Sequence, residues 1–483
     1  MTHENISREG RESLDVYLIA IGGTGMAPLA CLLQEKGHRV RGADGPLYPP
    51  MSTLLDRAGI VPHVGYDPQH LSSPRPDLVV VGNAVPRSNP EAQEAERLGL
   101  PRLSMPQALA RFCLADRRPL VVAGTHGKTT TTSMAAWVWT EAGQEPGYLI
   151  GGLPRNLPRS FEIGRGERFM VEGDEYNAAY FDRGPKFLHY RPETLILTSV
   201  EHDHVDLYPS PEALIDAFRR LVSILPPDGA LVAWGDSDEV RRVAAEAPCG
   251  RLFYGLGEGN DVSPRSVEPT EQGTRFVIDD PEAGAVTVEL HVPGRHNLLN
   301  ALGVWTAARR DGLPAAAVAR ALASFEGVAR RLQELGTAAG VTVVDDFAHH
   351  PTAVGQSLGG LRQHYPGRRL TLLFEPRSLT AGRSFFFDPY REAFAGADRV
   401  LFAPTFHAGR LSDEERLDFA ELARVLTGDG VEAEVLESND ALLARALELA
   451  EPGDVFATMS SGSFDGMPSR LLAELREGER AVP

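Results

Sequence analysis

Lysine is almost absent from this chain of 483 residues. Only Lys36, Lys128 and Lys186 occur, so arginine supplies nearly all of the positive charge. Asp and Glu number 66 against 48 Lys and Arg, which gives a formal net charge of −18. A general nucleic-acid-binding or anionic-membrane surface is therefore not expected, because those partners are themselves negative. Lys128 follows a glycine loop, where a flexible point charge suits a phosphate.

Cysteine and long apolar runs are also scarce. Cys31, Cys113 and Cys249 lie far apart without metal-binding spacing, so we expect small buried thiols in a reduced, cytoplasmic compartment. No apolar run approaches the ~20 residues of a membrane span. The polar N-terminal stretch predicts no signal peptide. The length favours about three domains, each large enough for its own core.

The segment 120–132, LVVAGTHGKTTTT, is the most informative stretch of the chain. Its apolar start, Leu120 to Ala123, predicts a buried strand, and Thr130 to Trp139 predicts a helix. The glycine loop between them is typical of a phosphate-binding loop, in which backbone N–H groups, a helix N-terminus and a lysine hold phosphate oxygens. The usual first glycine is replaced by Val122. The alternative interpretation is a tight turn that carries a surface lysine.

The N-terminal segment predicts a βαβ unit. A strand from Val16 to Ile21 leads into the turn Gly22 to Met26 and a helix to about Lys36, and the next strand ends at Asp44. An acid about 20 residues after a glycine turn is typical of dinucleotide-binding folds. Pro28 replaces the third glycine of that fingerprint. NAD, another nucleotide and simple packing therefore all remain open.

Acidic and histidine clusters follow two further predicted strands. The strand at 169–171 leads into EGDE, and the strand at 194–200 leads into EHDHVD. Ligands bind at the carboxyl ends of parallel strands, and carboxylate oxygens suit Mg²⁺. A solvated acidic loop is the alternative, and the spacing does not choose between His202 and His204.

The rest of the chain continues the α/β pattern and again places polar clusters after strands. The clusters are DDFAHHPT from Asp345, EPRS from Glu375 and MSSGSF from Met459. Asn297 and Asn300 are three apart, so they share a helix face, and helix capping is the alternative role. Further strands are predicted at 78–82, 229–233, 274–278, 286–292, 341–344, 370–374, 400–402 and 455–458. A short linker is predicted at residues 117–119.

These motifs together resemble the Mur ligases, the ATP-dependent amide-forming enzymes of bacterial cell-wall synthesis. The resemblance runs from about Tyr17 to near Leu475. It rests on six ordered motifs: GTHGKTT from Gly124, EGDE from Glu172, EHDH from Glu201, GRHNLLN from Gly294, the pair Arg330-Arg331, and DDFAHHPT from Asp345. It implies an α/β protein of three domains: a Rossmann-like UDP-sugar-binding domain at 1–116, a central P-loop ATPase domain at 117–328, and a C-terminal Rossmann-like ligase domain at 329–483 for the acceptor.

The resemblance also implies the site residues. Lys128, Glu172 and His204 are the expected catalytic residues, and Thr129, Glu172 and His204 the expected Mg²⁺ ligands. The expected ATP site consists of Ala123, Gly124, Thr125, His126, Gly127, Lys128, Thr129, Thr130, Asn297, Asn300, Arg331 and Asp346. The expected substrate contacts are Gly22, Gly23, Thr24, Gly25, Met26 and Asp44 for the UDP-sugar, and His349, Arg377 and Ser378 for the acceptor.

Within the family, several segments are similar to ligases that join UDP-N-acetylmuramate to the murein tripeptide L-alanyl-γ-D-glutamyl-meso-diaminopimelate in peptidoglycan recycling. They include DGPLYPPMSTLL from Asp44, FDRGPKFLHY from Phe181 and EPRS from Glu375. The alternative is the biosynthetic branch that adds L-alanine, which shares the ATP-site motifs. No lysine follows Lys186, so the carbamylated lysine of several relatives cannot occupy its usual place. An NAD-dependent oxidoreductase and a non-enzymatic nucleotide switch are the rival functions.

Overall fold

The computed structural model describes residues 13–203, 207–270, 272–378, 380–406, 412 and 414–481. The chain forms two compact units. The first comprises the described parts of 1–201, 210–262 and 303–313, and the second those of 202–209, 263–302 and 314–483. Among the described helices, none combines the length and apolar character that a membrane span requires.

The first unit begins with a sheet of five parallel strands in the order β3-β2-β1-β4-β5. Strand β1 is the central strand of this sheet, and its apolar residues are fully buried. The strand order reverses between β1 and β4, which is where open α/β sheets bind ligands. The predicted glycine turn follows β1 directly. The elements are β1 Asp15–Ile19, α1 Met26–Glu35, β2 Arg39–Asp44, α2 Met51–Arg57, β3 His63–Val64, β4 Leu78–Val81, α3 Pro90–Arg97, β5 Arg102–Ser104 and α4 Met105–Leu109.

A second sheet of the first unit has the order β14-β13-β12-β6-β9-β7-β8, with only β8 antiparallel. Strand β6 is the predicted strand before the phosphate loop and is buried at Leu120 to Ala123. The elements are β6 Arg118–Ala123, α5 Lys128–Glu141, β7 Gly147–Leu149, β8 Phe161–Glu162, β9 Arg168–Gly173, β12 Thr194–Leu197, α6 Pro211–Ser223, β13 Ala230–Trp234, α7 Asp238–Ala244 and β14 Gly250–Tyr254. A hairpin, β10 Asn177–Ala179 and β11 Asp182–Pro185, lies outside this sheet.

Two predicted boundaries are wrong in this region. Arg118 and Pro119 are not a linker but the start of β6, because the Arg118 backbone N–H donates to the Glu167 carbonyl (2.8 Å) and extends the ladder with β9. The strand predicted at 194–200 ends at Leu197. Thr198 and Ser199 instead hydrogen-bond to the glycine loop.

The second unit contains a three-stranded antiparallel sheet and a six-stranded sheet in the order β18-β19-β23-β20-β21-β22, where only β18 is antiparallel. The elements are β15 Pro264–Thr270, β16 Gly273–Asp280, β17 Gly284–Leu290, α8 Arg295–Arg310, α9 Ala315–Ala323, β18 Gln333–Ala338, β19 Val341–Asp346, α10 Pro351–His364, β20 Leu370–Phe374, α11 Phe387–Phe394, β21 Arg399–Phe402, α12 Phe419–Gly428, β22 Glu432–Val435, α13 Asn439–Leu449, β23 Val455–Met459 and α14 Met467–Ala481. Residues 303–310 of α8 belong to the first unit.

Helices cover both faces of the six-stranded sheet. Successive strand side chains alternate between the faces, so Phe374 packs in an aromatic core with Tyr390 and Phe394, while Leu373 packs on the other side with Leu471. Burial on both faces explains why these strands are continuous apolar runs in the sequence. Because β19, β23 and β20 are parallel neighbours, their carboxyl ends meet at one edge of the sheet.

Candidate nucleotide and substrate sites

The glycine loop between β6 and α5 is tightly fitted to the chain after β12. A Cβ atom on Gly124 would overlap Thr198 Oγ1 and lie 2.7 Å from Ser199 N. The φ of Gly124 is 136°, a value that only glycine adopts readily. Gly127 has a φ of 79° and precedes α5, which begins at Lys128. The remaining predicted ATP-site residues here, Ala123 and Thr130, are buried at the end of β6 and in the first turn of α5.

Side chains and backbone groups after β12 hold this loop in place. The Thr125 hydroxyl lies 2.9 Å from both the Glu201 carbonyl and the Glu201 backbone N–H. The His126 N–H donates to Ser199 Oγ (2.9 Å), and Thr198 Oγ1 donates to the His126 carbonyl (2.6 Å). The His126 ring also pairs with the Glu201 carboxylate at 2.9 Å. The shape of the loop and the N-terminus of α5 are thus fixed, as an anion site requires, and the amides of Thr125 and His126 are used in holding the loop.

Lys128 is enclosed by its own loop and by acids. Its Nζ donates to the Gly124 carbonyl (2.6 Å) and to Glu175 Oε2 (3.0 Å), and Glu175 is 2% exposed. Burial lowers the pKa of the lysine, but the charges of Glu175 and Asp174 outweigh this, and the pKa is raised. The side chain therefore carries a full positive charge where the loop meets the helix.

Thr129, in the first turn of α5, and Glu172, near the end of β9, bring two oxygen ligands together. The Thr129 hydroxyl donates to Glu172 Oε2 (3.0 Å), and the Gly151 N–H donates to Glu172 Oε1 (2.5 Å). Burial, followed by the charge of Asp174, raises the pKa of the Glu172 carboxyl. A divalent cation would offset both effects, and hydroxyl and carboxylate oxygens are the ligands that Mg²⁺ prefers. These residues fit a magnesium ion.

The EHDH motif contains two histidines, His202 and His204, of which His204 is the predicted Mg²⁺ ligand. His204, the expected ligand, lies outside the described residues. The Nε2 of His202 pairs with the Tyr208 carbonyl at 2.9 Å. A structural hydrogen bond thus accounts for His202, and the assignment of His204 stays a prediction.

The N-terminal turn is closed by Asp44. Its Oδ2 accepts from the Gly22 N–H (2.7 Å), and its Oδ1 accepts from Tyr66 Oη (3.0 Å) and from the Gly45 N–H (2.8 Å). The other predicted UDP-site residues, Gly23, Thr24, Gly25 and Met26, complete the turn and begin α1, with Gly25 preceding its first residue. In this structure Asp44 holds the shape of the turn, and its contact with the UDP-sugar stays a prediction.

The amide pair at the start of α8 belongs to the second unit. Asn300 Nδ2 donates to Asn297 Oδ1 (3.3 Å), and Asn297 Nδ2 donates to the Pro293 carbonyl (2.7 Å). The predicted shared helix face is therefore confirmed. The neighbouring His296 has its pKa lowered to about 4, first by burial and then by Arg331.

Arg331 and Asp346 also lie in the second unit. Asp346 is 3% exposed and accepts backbone N–H groups of Leu332 and Ala348, each at 2.6 Å. Burial raises its pKa, and Arg331 opposes that shift. The Arg331 guanidinium lies 4.8 Å from the centre of the Phe347 ring. The guanidinium group of an arginine in such a setting can contact a phosphate group and the nucleobase of a nucleotide.

Arg377 stands at the carboxyl end of β20. Its guanidinium lies 4.1 Å from the Phe406 ring centre and 3.4 Å from Glu375 Oε1. A Cβ atom on Gly462 would overlap this side chain, so the arginine lies flat against the glycine. Its side chain remains 29% exposed. A guanidinium held in this way can still offer parallel donors to a carboxylate.

The other two predicted acceptor residues are used locally. The Ser378 hydroxyl accepts from the Ala381 N–H (2.9 Å), and His349 Nδ1 pairs with the Phe347 carbonyl (3.0 Å). Both lie at the strand ends named in the sequence prediction. Their contact with an acceptor stays a prediction.

Several residues that complete these sites are absent from the predicted set. Glu175 pairs with Lys128, Ser199 supports the loop, and Gly151 fixes Glu172. Glu175 stands in the EGDE motif, and Gly151 opens a Gly-Gly pair after β7, so the sequence pattern around each of them could have marked it as a site residue. Ser199 has no such pattern around it, because only the fold brings it to the loop.

Three family descriptions match the chain in succession. "Mur ligase family, catalytic domain" matches residues 15–117, "Mur ligase middle domain" residues 122–308, and "Mur ligase, glutamate ligase domain" residues 330–462.

Full-length relatives carry two kinds of name. The UDP-N-acetylmuramate–L-alanyl-γ-D-glutamyl-meso-2,6-diaminoheptandioate ligase of Escherichia coli (strain K12) is 37% identical, with 97% of this chain and 99% of the relative covered. The UDP-N-acetylmuramate–L-alanine ligase of Rubrobacter xylanophilus is 34% identical, with 96% and 100% covered. The crystal structure of a murein peptide ligase from Psychrobacter arcticus 273-4 superposes with a TM-score of 0.72 at 32% identity, covering 96% of this chain and 99% of that one.

Proposed function

The chain belongs to the Mur ligase family, and we propose that it joins UDP-N-acetylmuramate to the tripeptide L-alanyl-γ-D-glutamyl-meso-diaminopimelate with consumption of ATP, in peptidoglycan recycling. The observation that carries this proposal is the set formed by Lys128, Thr129 and Glu172 at the ends of neighbouring strands β6 and β9. The domain boundaries 1–116, 117–328 and 329–483 are part of the proposal, and the three matched segments support them.

The first step activates the lactyl carboxylate of the muramate. A carboxylate oxygen is a poor leaving group, so it attacks the γ-phosphorus of ATP, the bond to the β–γ bridging oxygen breaks, and ADP leaves. Lys128 and the loop amides bind the β- and γ-phosphates and stabilise the charge that moves between them. Thr129, Glu172 and His204 would hold Mg²⁺, which neutralises phosphate charge when it is bound.

The second step forms the amide. The free amine of the acceptor attacks the acyl phosphate carbon, a tetrahedral intermediate forms, and phosphate departs with the bonding electron pair as the amine loses a proton. Asn297, Asn300, Arg331 and Asp346 are expected to contact ATP in this proposal. Gly22 to Met26 and Asp44 bind the UDP part. Positioning and charge neutralisation supply most of the acceleration, because every partner is an anion.

The choice of a tripeptide rests on Arg377 and on the relative that is 37% identical. A tripeptide brings several carboxylates, and the exposed part of the Arg377 guanidinium can bind one of them with two parallel hydrogen bonds. L-Alanine brings a single carboxylate next to its amine, so a contact made by a more distant carboxylate of the tripeptide is lost with it, and the site discriminates against the smaller acceptor. The relative named for L-alanine is 34% identical, which makes that reaction the second candidate.

The deciding experiment measures kcat/KM for the tripeptide and for L-alanine with UDP-N-acetylmuramate and ATP. We expect the tripeptide to exceed L-alanine by on the order of a thousandfold or more, because the smaller acceptor loses every contact made beyond the first residue. An equal or higher value for L-alanine would show the biosynthetic reaction instead.

Arg377→Ala isolates the proposed acceptor contact. We expect it to lower kcat/KM for the tripeptide on the order of a hundredfold, with the KM values of ATP and UDP-N-acetylmuramate nearly unchanged. Arg391→Ala is the control, because that arginine on α11 pairs with Asp429 and is 47% exposed. Equal tripeptide kinetics in the two variants would remove Arg377 from the site without affecting the reaction assignment.

A further inference from the structure

A cavity of about 660 Å³ lies in the first unit, between the α4 segment and the chain that leads into β12. Leu103, Ala110, Leu114 and Leu188 form part of its apolar wall. The size falls in the range of pockets that hold small organic ligands. None of its lining residues belongs to the proposed nucleotide, metal or acceptor sites.

The charged residues that line this cavity are all basic. Arg111, Arg117 and Arg191 contribute to the lining, and no Asp or Glu does. His189 also lines the cavity, but its ring pairs with Asp182 at 2.8 Å. Within the described residues, none of the three arginines forms an ion pair with a carboxylate. Arg117 instead donates to backbone carbonyls, including that of Gly164 at 2.9 Å. Arg111 and Arg191 are exposed, and in a chain with a net charge of −18 two such guanidinium groups without acidic partners beside one cavity suit an anion.

A neutral donor strengthens this assignment. Gln107 lines the cavity, and its Oε1 accepts from the Ser104 N–H at 2.9 Å. Its NH₂ group makes no hydrogen bond within the described residues. The carbonyl end of this amide is therefore already used, and the end that remains is a donor. Donors suit the oxygens of a carboxylate, sulfonate or phosphate.

The backbone around the cavity departs from regular structure on both sides. Residues Ala110–Leu114 continue α4 as a single π-helical turn, and such turns occur frequently at functional sites. Arg191 on the opposite side has a φ of 45°, which a non-glycine residue adopts only when its surroundings hold it there. Both deviations place an arginine, Arg111 or Arg191, on the rim.

The cavity lies away from the phosphate loop. Pro119, at the start of β6, is one of its lining residues, whereas Gly124 follows the end of the same strand. At the rise of an extended strand these positions are roughly 16 Å apart. An occupant of the cavity therefore does not occupy the nucleotide position.

We propose that this cavity binds a small organic anion with an apolar body, at a site separate from the catalytic edge. The apolar wall takes the body of the ligand, and Arg111, Arg191 and the Gln107 amide hold its anionic group.

The test uses 8-anilinonaphthalene-1-sulfonate, whose two aromatic parts and sulfonate match this chemistry. Fluorescence titration of the full chain, with saturating ADP present, should show one saturable site. Arg111→Glu and Arg191→Glu should each weaken binding at least tenfold, because each replaces an attraction by a repulsion. The uncharged analogue N-phenyl-1-naphthylamine should bind at least tenfold more weakly than the sulfonate.

Arg220→Glu is the matched control, because Arg220 is an exposed arginine on α6 that does not line the cavity. The proposal would be overturned if Arg111→Glu and Arg191→Glu bound the probe as tightly as Arg220→Glu does. It would also be overturned if adding ADP displaced the probe. Arg111→Glu should keep its ligation rate in the absence of the probe. Loss of that rate in a folded variant would assign the cavity to the catalytic path instead. If circular dichroism shows that a Glu variant is unfolded, Arg111→Gln or Arg191→Gln at the same position replaces it, and affinity equal to that of Arg220→Glu would again overturn the proposal.

Discussion

At the scale of single residues, Lys128 is one of only three lysines, and its ammonium group is held by a loop carbonyl and by Glu175. Lys128→Ala should lower the ligation rate on the order of a hundredfold or more, because the charge that stabilises phosphate in the transition state is removed. Phosphate release with all substrates measures this. Lys36→Ala is the control, since Lys36 is exposed at the end of α1. Near-normal turnover in a folded Lys128→Ala variant would contradict the phosphate-loop assignment.

His296 gives a prediction about pH. Burial, and then the charge of Arg331, lowers the pKa of its imidazole to about 4, below the ordinary value of 6.5. The folded protein therefore favours the neutral ring. The neutral ring's contribution to the free energy of unfolding is complete above pH 6.5 and is lost as the pH falls towards 4. Between pH 7 and pH 5 the wild type should lose on the order of 1–2 kcal/mol more unfolding free energy than His296→Gln.

Urea unfolding at the two pH values measures that difference. His291→Gln is the control, because His291 is exposed and only five positions earlier in the chain. An equal pH dependence in wild type and His296→Gln would show that the ring is not buried in its neutral form.

At the scale of elements, the contact between the glycine loop and the end of β12 can be tested by adding one methyl group. Gly124→Ala places a Cβ over Thr198 Oγ1 and 2.7 Å from Ser199 N, so the loop must move away from the strand. We expect a loss of on the order of 2–3 kcal/mol of unfolding free energy and a large loss of ATP turnover. Thermal unfolding and phosphate release measure the two effects.

Gly143→Ala separates backbone strain from the lost fit. Gly143 follows the other end of α5 with a φ of 73°, yet a Cβ there meets nothing within 4 Å. It should cost about 1 kcal/mol and leave turnover intact. Identical effects of the two substitutions would mean that the approach of loop and strand is unimportant.

At the scale of the whole molecule, substrate binding should appear as stability of the full chain. UDP-N-acetylmuramate at one hundred times its Kd should raise the free energy of unfolding by about 2.7 kcal/mol, because in the proposed function the folded chain binds it and the unfolded chain does not. Asp44→Ala should lose most of this gain, since Asp44 closes the Gly22 turn. Asp56→Ala, at an exposed position on α2, should keep it. Scanning calorimetry with and without the ligand would contradict the assignment if both variants shifted equally.

The architecture expected from the sequence, a three-domain Mur ligase of the α/β class, is confirmed. Central strands such as β6 and β20 were predictable because burial on both faces makes them continuous apolar runs. Short or exposed strands such as β3 and β15 were not, since they have neither long apolar runs nor a clear alternation. Local patterns record burial, and these strands are stabilised mainly by their neighbours in the sheet.

The candidate sites divide in the same way. The sequence by itself determined the phosphate loop, the acidic cluster at Glu172 and the amide pair at Asn297, because each lies within a few residues of a strand or helix end. Only the tertiary structure decided that Ser199 supports the loop, that Asp44 closes the Gly22 turn and that Arg377 lies against Gly462. The physical reason is that these contacts join chain segments far apart in sequence. Parallel strands bring such segments to one edge, and no local pattern encodes which side chains meet there.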